Sequence, residues 1–359
     1  MNRLVPVEAR GPAFVDELRA VWAAGDAAMP LDPRWPDAAR RAALGAARPD
    51  VPVLPGDALV LTTSGTSGDP KAVVLTHDAL EASSTATSAR LQADPASDRW
   101  LACLPLSHIG GLAVVLRALH TGTPLTVHDG FDAAAVAGAA DDGCTLVSLV
   151  PTALQRLDPA RFRLVLLGGQ APLADRPANV IATYGMTETG SGVVYDGRPL
   201  DGVEVRTDTT GQLEVRGPML LRAYRGDDPA GADPKDPDGW FPTGDLGAVQ
   251  DDGTVVVHGR AGDLIITGGE NVWPAAVERA LAGHPAVAEV AVVGRPDAAW
   301  GQAVTALVVP TDSAAPPTLE QLRDHAKQTL PAYAAPRALE LVDALPRTVS
   351  GKVRRAALS

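Results

Sequence analysis

Over its first two hundred residues the chain alternates short apolar, β-branched runs with longer Ala/Leu-rich stretches. The runs LVLTT (59–63), KAVVLT (71–76), WLACLPL (100–106), PLTVHD (124–129), CTLVSLVP (144–151) and RLVLLGG (163–169) read as strands. Between them the pattern predicts helices: one after Thr76, with Thr76 as its N-cap, and one in FDAAAVAGAA from Phe131. Such alternation predicts a layered α/β architecture. From Val203 the texture changes to antiparallel pairs, VEVRTD, GQLEVRG and GAVQDDGTVVVHGR, the last with a DDG turn. These predict a small β-barrel-like part appended to the layers. Past Arg260 come a strand, a Gly-Gly loop, the helix AAVERALAGH, strands AEVAVVG and AVTALVVP, a Pro-bounded helix TLEQLRDHAKQTL and a last strand ALELVD. The expectation is a large α/β domain over 1–260 and a small α+β domain over 261–359, each of ordinary domain size.

Composition narrows the class. A chain of 359 residues, 46% hydrophobic and 21% charged, can bury two cores and is not disordered. Its formal charge of −12 argues against the clustered positive surface that nucleic acid or an anionic membrane requires. No apolar run is long enough for a membrane span and the N-terminus has no signal-like segment, so a cytoplasmic protein is expected. Cys103 and Cys144 sit singly in apolar strands and read as buried thiols. Of the 31 lysines and arginines only Lys71, Lys235, Lys327 and Lys352 are lysine. Lys71 and Lys352 lie in Gly/Ser/Thr/Pro-rich loops, where a compact, flexible point charge differs from a planar fork.

The stretch LTTSGTSGDPKAVVLTH (61–77) is the first candidate for chemistry. It is not a Walker A loop, because Lys71 stands three residues beyond Gly68 and a strand follows where that motif needs a helix. By itself it is either a flexible hairpin loop or an anion cradle of hydroxyls and amides closed by Lys71. ATYGMTETG (182–190) follows a strand and sets Thr187 and Glu188 in a glycine-bounded turn, where a carboxylate suits a hard cation. FPTGDLG (241–247) presents Asp245 in a Gly-flanked turn suited to ribose hydroxyls, and PRTVSGKVRRAAL (346–358) carries Lys352 on another Gly/Ser turn. Each alone is more often a solvated turn than a site.

In this order, together with PLSHIGG and GRAGDLIITGGENVWP, the motifs resemble the acyl-adenylate-forming enzymes, a match running from Leu61 to the end of the chain. The resemblance implies that Thr63, Ser64, Gly65, Thr66, Ser67, Gly68 and Lys71 line the β,γ-phosphate loop and that Thr66 and Glu188 hold Mg²⁺. It implies an adenine and acyl wall of Gly168, Gly169, Gln170, Tyr184, Gly185, Thr187 and Gly190, with Asp245 and Arg260 on the ribose. Lys352 would reach the reacting carboxylate and α-phosphate. ATP and Mg²⁺ would serve adenylation, and coenzyme A would then take the acyl group. The small domain would swing between the two half-reactions, exchanging the Lys352 loop for the loop of Gly268, Gly269 and Trp273.

Two departures accompany the resemblance. The hinge position usually acidic is Gly262 here, followed by Asp263, so the hinge is one or the other. The first motif also lies near residue 60, which predicts a reduced first subdomain, an exposed sheet edge and a route to a homo-oligomer. For the acid, His108 and Arg117 in PLSHIGGLAVVLRALHTG read either as core imidazole and snorkelling helix charge, or as pocket residues. In the second case His108 lines the acyl pocket and Arg117 pairs with a second substrate carboxylate. That offset, with GSGVVYDGRPLDGV downstream, resembles the short actinobacterial-type o-succinylbenzoate:CoA ligases of menaquinone biosynthesis, whose substrate is an aromatic dicarboxylate.

Overall fold

A computed structural model describes residues 2–63, 70–169, 176–347 and 353–358. The chain divides into two compact units, one of Met1–Val205, Glu214–Pro242 and Asp251–Val255, the other of Arg206–Leu213, Thr243–Gln250 and Val256–Ser359.

In the first unit a five-stranded sheet runs in the order Leu4–Val7, Ala27–Pro30, Asp57–Thr63, Lys71–Thr76, Ala223–Tyr224. Its first three strands are parallel; the last two pair antiparallel. The edge strand Leu4–Val7 is four residues long and contains Pro6, two features that blunt an open edge. Helix Pro12–Ala23 buries Phe14, Leu18 and Val21. A second sheet of seven strands has the order Arg198–Pro199, Ser191–Tyr195, Val180–Met186, Leu164–Leu167, Leu146–Leu149, Trp100–Ala102, Leu125–Val127. Its five strands from Val180–Met186 onward are parallel, as the α/β alternation predicts.

The predicted cap is where the sequence puts it: Thr76 caps helix His77–Leu91, its hydroxyl accepting from the Ala79 amide at 3.2 Å. The helix expected from Phe131 begins at Ala133, because Asp132 caps it by accepting from the Ala135 amide at 2.8 Å. Helix Ile109–Thr121 is apolar on nearly every side and is buried from Gly111 to Ala118. Gly111 lets it start close beneath the preceding loop, since a Cβ there would strike the carbonyls of Leu104 and Pro105. Cys103 and Cys144 are buried thiols in the core of the second sheet, and burial pushes Cys103 up to about 12.

The antiparallel strands expected after Val203 form a four-stranded sheet: Glu204–Thr207, Gln212–Arg216, Phe241–Val249, Val255–Arg260. In the second unit, Glu270–Val272, Ile265–Thr267, Gly301–Pro310 and Val287–Asp297 form a sheet in that order, and Ala338–Leu341 pairs parallel to Gly301–Pro310. Helices Pro274–Ala282 and Leu319–Ala326 pack Val277, Leu281, Leu322 and Ala326 into its core. Thr318 and Gln321 make a reciprocal capping box at the start of the second helix.

Candidate active site

The opening motif is a hairpin. Thr63 and Lys71 are direct cross-strand partners, the last pair in the ladder of strands Asp57–Thr63 and Lys71–Thr76. The hydroxyl and glycine positions Ser64, Gly65, Thr66, Ser67 and Gly68 lie outside the described residues, as do Gln170 and Lys352. The Lys71 side chain is exposed, with Nζ 4.9 Å from the centre of the Tyr224 ring. The Tyr224 hydroxyl donates to Glu188 Oε1 at 3.1 Å. One tyrosine therefore joins the candidate phosphate lysine to the candidate metal carboxylate. Nothing in the motifs pointed to Tyr224, which stands in GPMLLRAYRG.

Glu188 belongs to the short 3₁₀ turn Thr187–Thr189, closed by Gly190 in the left-handed region at φ 65°. Its carbonyl accepts from the Leu221 amide at 2.7 Å, and Thr189 Oγ1 donates to the Ser191 carbonyl at 2.6 Å. The turn is thus glycine-bounded as expected, but ATYGM does not follow a strand: it is the end of one, Val180–Met186. Gly185 faces Gly192 across the antiparallel pair, and a Cβ on it would run into the Ser191 carbonyl. Tyr184 pairs with Val194 in the same ladder. Gly168 follows strand Leu164–Leu167, with the Thr183 hydroxyl where a Cβ would begin to crowd, and Gly169 has φ 91°.

Asp245 departs from its expected turn. FPTGDLG lies within strand Phe241–Val249, which absorbs the left-handed Gly244 at φ 74° without ending. Asp245 is 6% exposed and pairs with Arg260 Nε at 2.9 Å, while Arg260 also donates to the Thr243 carbonyl at 2.9 Å. The two residues expected on one ribose are in direct contact.

The segment Gly268–Trp273 is also more regular than a loop. Ile265–Thr267 and Glu270–Val272 form a tight hairpin turning on Gly268 and Gly269, both left-handed, at φ 62° and 86°. Trp300 packs where a Gly268 side chain would stand. Trp273 precedes helix Pro274–Ala282 and stacks on His258 with ring centres 5.5 Å apart. Gly262 and Asp263 occupy the 3₁₀ turn Ala261–Asp263. Arg355, three residues past Lys352, binds both oxygens of Glu278 at 2.7 and 2.8 Å and lies 3.4 Å from Asp263. On the other side of Lys352, Arg347 bridges to Val353 and pairs with Glu289 at 2.9 Å. Burial raises the Asp263 carboxyl despite the nearby Arg355 and Arg260.

His108 stands just before helix Ile109–Thr121, its ring 6.2 Å from that of Trp35. Beside it a small cleft is lined by Arg10, Asp32, Arg34, Ser107 and Asp129. The side-chain hydrogen bonds of Arg34 pull the Asp32 carboxyl below its usual range. Arg117 lies elsewhere. It is 2% exposed, donates to Ser191 Oγ at 2.8 Å and Tyr195 Oη at 3.4 Å, and covers the Trp100 ring at 5.6 Å. Its Nη2 meets the protein's own hydroxyls, which gives it a hold on the strand after Gly190, while its buried Nε has no hydrogen-bond partner. Among the described residues no group of three His, Cys, Asp or Glu side chains gathers in a metal-binding cluster.

Known proteins converge on the same reading. Residues 49–225 match the AMP-binding enzyme family and 276–352 its C-terminal domain. A probable 2-succinylbenzoate–CoA ligase of Mycobacterium tuberculosis is 44% identical over 338 residues, covering 88% of this chain and 87% of its own. The 2-succinylbenzoate–CoA ligase of Bacillus licheniformis is 38% identical, covering 83% of this chain and 69% of its own. Among solved structures, o-succinylbenzoate CoA synthetase from Bacillus subtilis in complex with the acyl-adenylate intermediate superimposes with TM-score 0.88 at 28% identity, covering all of this chain and 88% of that one. The same enzyme with ATP and magnesium ion gives 0.86 at 27% identity, covering 99% and 88%. With that extent of identity, and with Lys71, Tyr224 and Glu188 in contact as described, the chain belongs to the 2-succinylbenzoate–CoA ligase family of AMP-binding enzymes.

Proposed function

We propose that this chain activates o-succinylbenzoate with ATP, forming the acyl-adenylate, and passes the acyl group to coenzyme A to give o-succinylbenzoyl-CoA for menaquinone biosynthesis. The observation that carries the reading is the meeting of Lys71 with Glu188 through Tyr224, at the mouth of a hairpin rich in hydroxyls and glycine. The family supplies the choice of acid.

A carboxylate is a poor electrophile, because its charge repels nucleophiles and oxide does not leave. Attack of the substrate carboxylate on the α-phosphate of ATP forms a mixed anhydride and expels pyrophosphate. Catalysis of such a step is mainly positioning and charge stabilisation. Lys71 at the strand end would face the β,γ-phosphates, and the Asp245–Arg260 pair would fix the ribose. Glu188 fits Mg²⁺: it is a hard carboxylate whose recorded side-chain partner among the described residues is one tyrosine hydroxyl, leaving lone pairs for a cation. Mg²⁺, when bound there, would offset the charge on the departing pyrophosphate. Lys352 would neutralise charge on the α-phosphate. A thiol, that of coenzyme A, then attacks the anhydride carbonyl and AMP leaves.

Residues 261–359 would act as the mobile domain, presenting the Lys352 loop for the first half-reaction and the Gly268–Trp273 hairpin for the second, with Gly262 or Asp263 as hinge. His108 would line the acyl pocket. Arg117 would act on the acyl group through Ser191 rather than by touching it. The net charge of −12 favours small-molecule partners over nucleic acid, and among the described residues no helix is long and apolar enough to cross a membrane. We place the enzyme in the cytoplasm, and any homo-oligomer would form elsewhere than at the blunted edge strand Leu4–Val7.

The test is a panel of acids with ATP, Mg²⁺ and coenzyme A, read by acid-dependent pyrophosphate exchange and mass spectrometry of the thioester. Preference for o-succinylbenzoate with release of AMP is expected. Preference for a fatty acid or plain benzoate would overturn the choice of substrate, and absence of exchange with any acid would overturn the enzyme reading.

A further inference from the structure

We propose that Tyr224 is a positioning residue that holds apart the two opposite charges of the site, keeping Lys71 free for phosphate and Glu188 free for a divalent cation. The proposal rests on the roles given to Lys71 and Glu188 above, and goes beyond them by assigning a residue that no motif names.

Lys71 opens a strand of the first sheet and Glu188 sits in a turn following a strand of the second. An ammonium and a carboxylate that contact the same tyrosine can swing together if it is removed, and pairing would cancel the charge that each needs for its ligand. Among the described residues no ion pair joins them. Tyr224 stands between instead: its ring face takes the ammonium at 4.9 Å and its hydroxyl takes Glu188 Oε1 at 3.1 Å. A phenol does both without neutralising either, since a ring face attracts the cation while keeping it charged, and an O–H donated to a carboxylate stabilises the ionised form.

The backbone that carries Tyr224 is held from several directions. It pairs with Val73, two residues from Lys71, and exchanges amide hydrogen bonds with Ala232, both at 2.8 Å. Gly231, at φ 69°, has no side chain because a Cβ would run into the Tyr224 carbonyl. Next in the chain, the buried guanidinium of Arg225 donates to the carbonyls of Ala47, Arg48, Val51 and Pro52, and the Arg225 amide binds the Ala72 carbonyl at 2.8 Å. A spacer must not move, and this one is fixed to the strand whose lysine it controls.

The test compares Tyr224→Phe, which removes only the hydroxyl, with Tyr224→Leu, which removes hydroxyl and ring. Mn²⁺ binding to the enzyme with a non-hydrolysable ATP analogue is read by electron paramagnetic resonance, and metal-free binding of the same analogue by calorimetry. Tyr224→Phe is expected to weaken Mn²⁺ about tenfold, the size of one hydrogen bond to a charged group, while metal-free nucleotide affinity changes less than about threefold. Tyr224→Leu is expected to weaken both. Wild-type Mn²⁺ affinity in Tyr224→Phe overturns the proposal, and that conservative variant decides it even if Tyr224→Leu fails to fold. Controls keep the two readings distinct. If Lys71→Ala leaves nucleotide affinity intact and Glu188→Gln leaves Mn²⁺ affinity intact, the reading of the site is wrong, and the spacer falls with it. If both controls lose affinity while Tyr224→Phe does not, only the spacer is wrong.

Discussion

Arg117 allows a sharp prediction, because its burial and its expected role in substrate binding pull in different directions. Replacing it by methionine keeps most of the volume and removes the guanidinium. The hydrogen bond to Ser191 at 2.8 Å is charge-assisted and worth about 1.5–3 kcal/mol; the longer contact to Tyr195 at 3.4 Å is worth less. Against this, a cation that is 2% exposed and meets only neutral partners carries a desolvation cost of several kcal/mol, which the change removes. The two nearly cancel, so Arg117→Met should shift stability by no more than about 2 kcal/mol in either direction. Arg117→Ala adds a cavity and should cost about 2–5 kcal/mol more. Urea denaturation measures both, provided the slope of the transition is unchanged. In kinetics the Met variant should lower kcat and raise KM moderately for acid and ATP alike, through a loosened Ser191 strand. A KM for o-succinylbenzoate raised tenfold or more, with KM for ATP and the urea midpoint both at wild-type values, would mean that the guanidinium touches the acid directly and would refute the argument.

Three other perturbations bear on different parts of the molecule. Gly268→Ala places a methyl group against Trp300 at a left-handed φ of 62°, so thioester formation from preformed acyl-adenylate should slow by at least about tenfold while pyrophosphate exchange changes little. Asp245→Asn removes the charge that Arg260 engages at 2.9 Å and should raise KM for ATP about tenfold or more, with a smaller effect on KM for the acid. His77 and His120 flank Trp22, and burial holds both imidazoles below the usual histidine value despite Asp78 near the first and Glu81 near the second. The unfolded chain therefore takes up protons near pH 6.5 before the folded one does. Stability should be full above that pH and fall as the medium is acidified below it, and His120→Gln should flatten the melting-temperature profile over that range.

Much of this was legible from local pattern. Thr76 before an Ala/Ser-rich run announces a helix cap, and the placement of Lys71 directly after a Pro and before VVLT announces a strand; both hold. The turn expected at Asp245 is a strand instead, because the left-handed Gly244 that suggests a turn in TGDLG is absorbed inside a strand whose neighbours stay paired. Arg117 had a signal that was available: LAVVLRAL is apolar on every face, and a charge inside such a helix is carried into the core with it. Tyr224 had none. Its strand is two residues long, and its importance comes from Val73 and Glu188, each far away in sequence.

The clasp around Arg355 has one more implication. A guanidinium has five N–H groups, and here they reach Glu278, the Val292 carbonyl and Asp263, three segments distant in sequence. Such redundancy is a form of insurance: losing the Asp263 carboxylate leaves the bidentate Glu278 grip intact, so the final stretch of the chain should stay docked and resist trimming by a protease. Burial of Leu358 against Ala291, Val293 and Leu307 adds a hold that does not depend on charge.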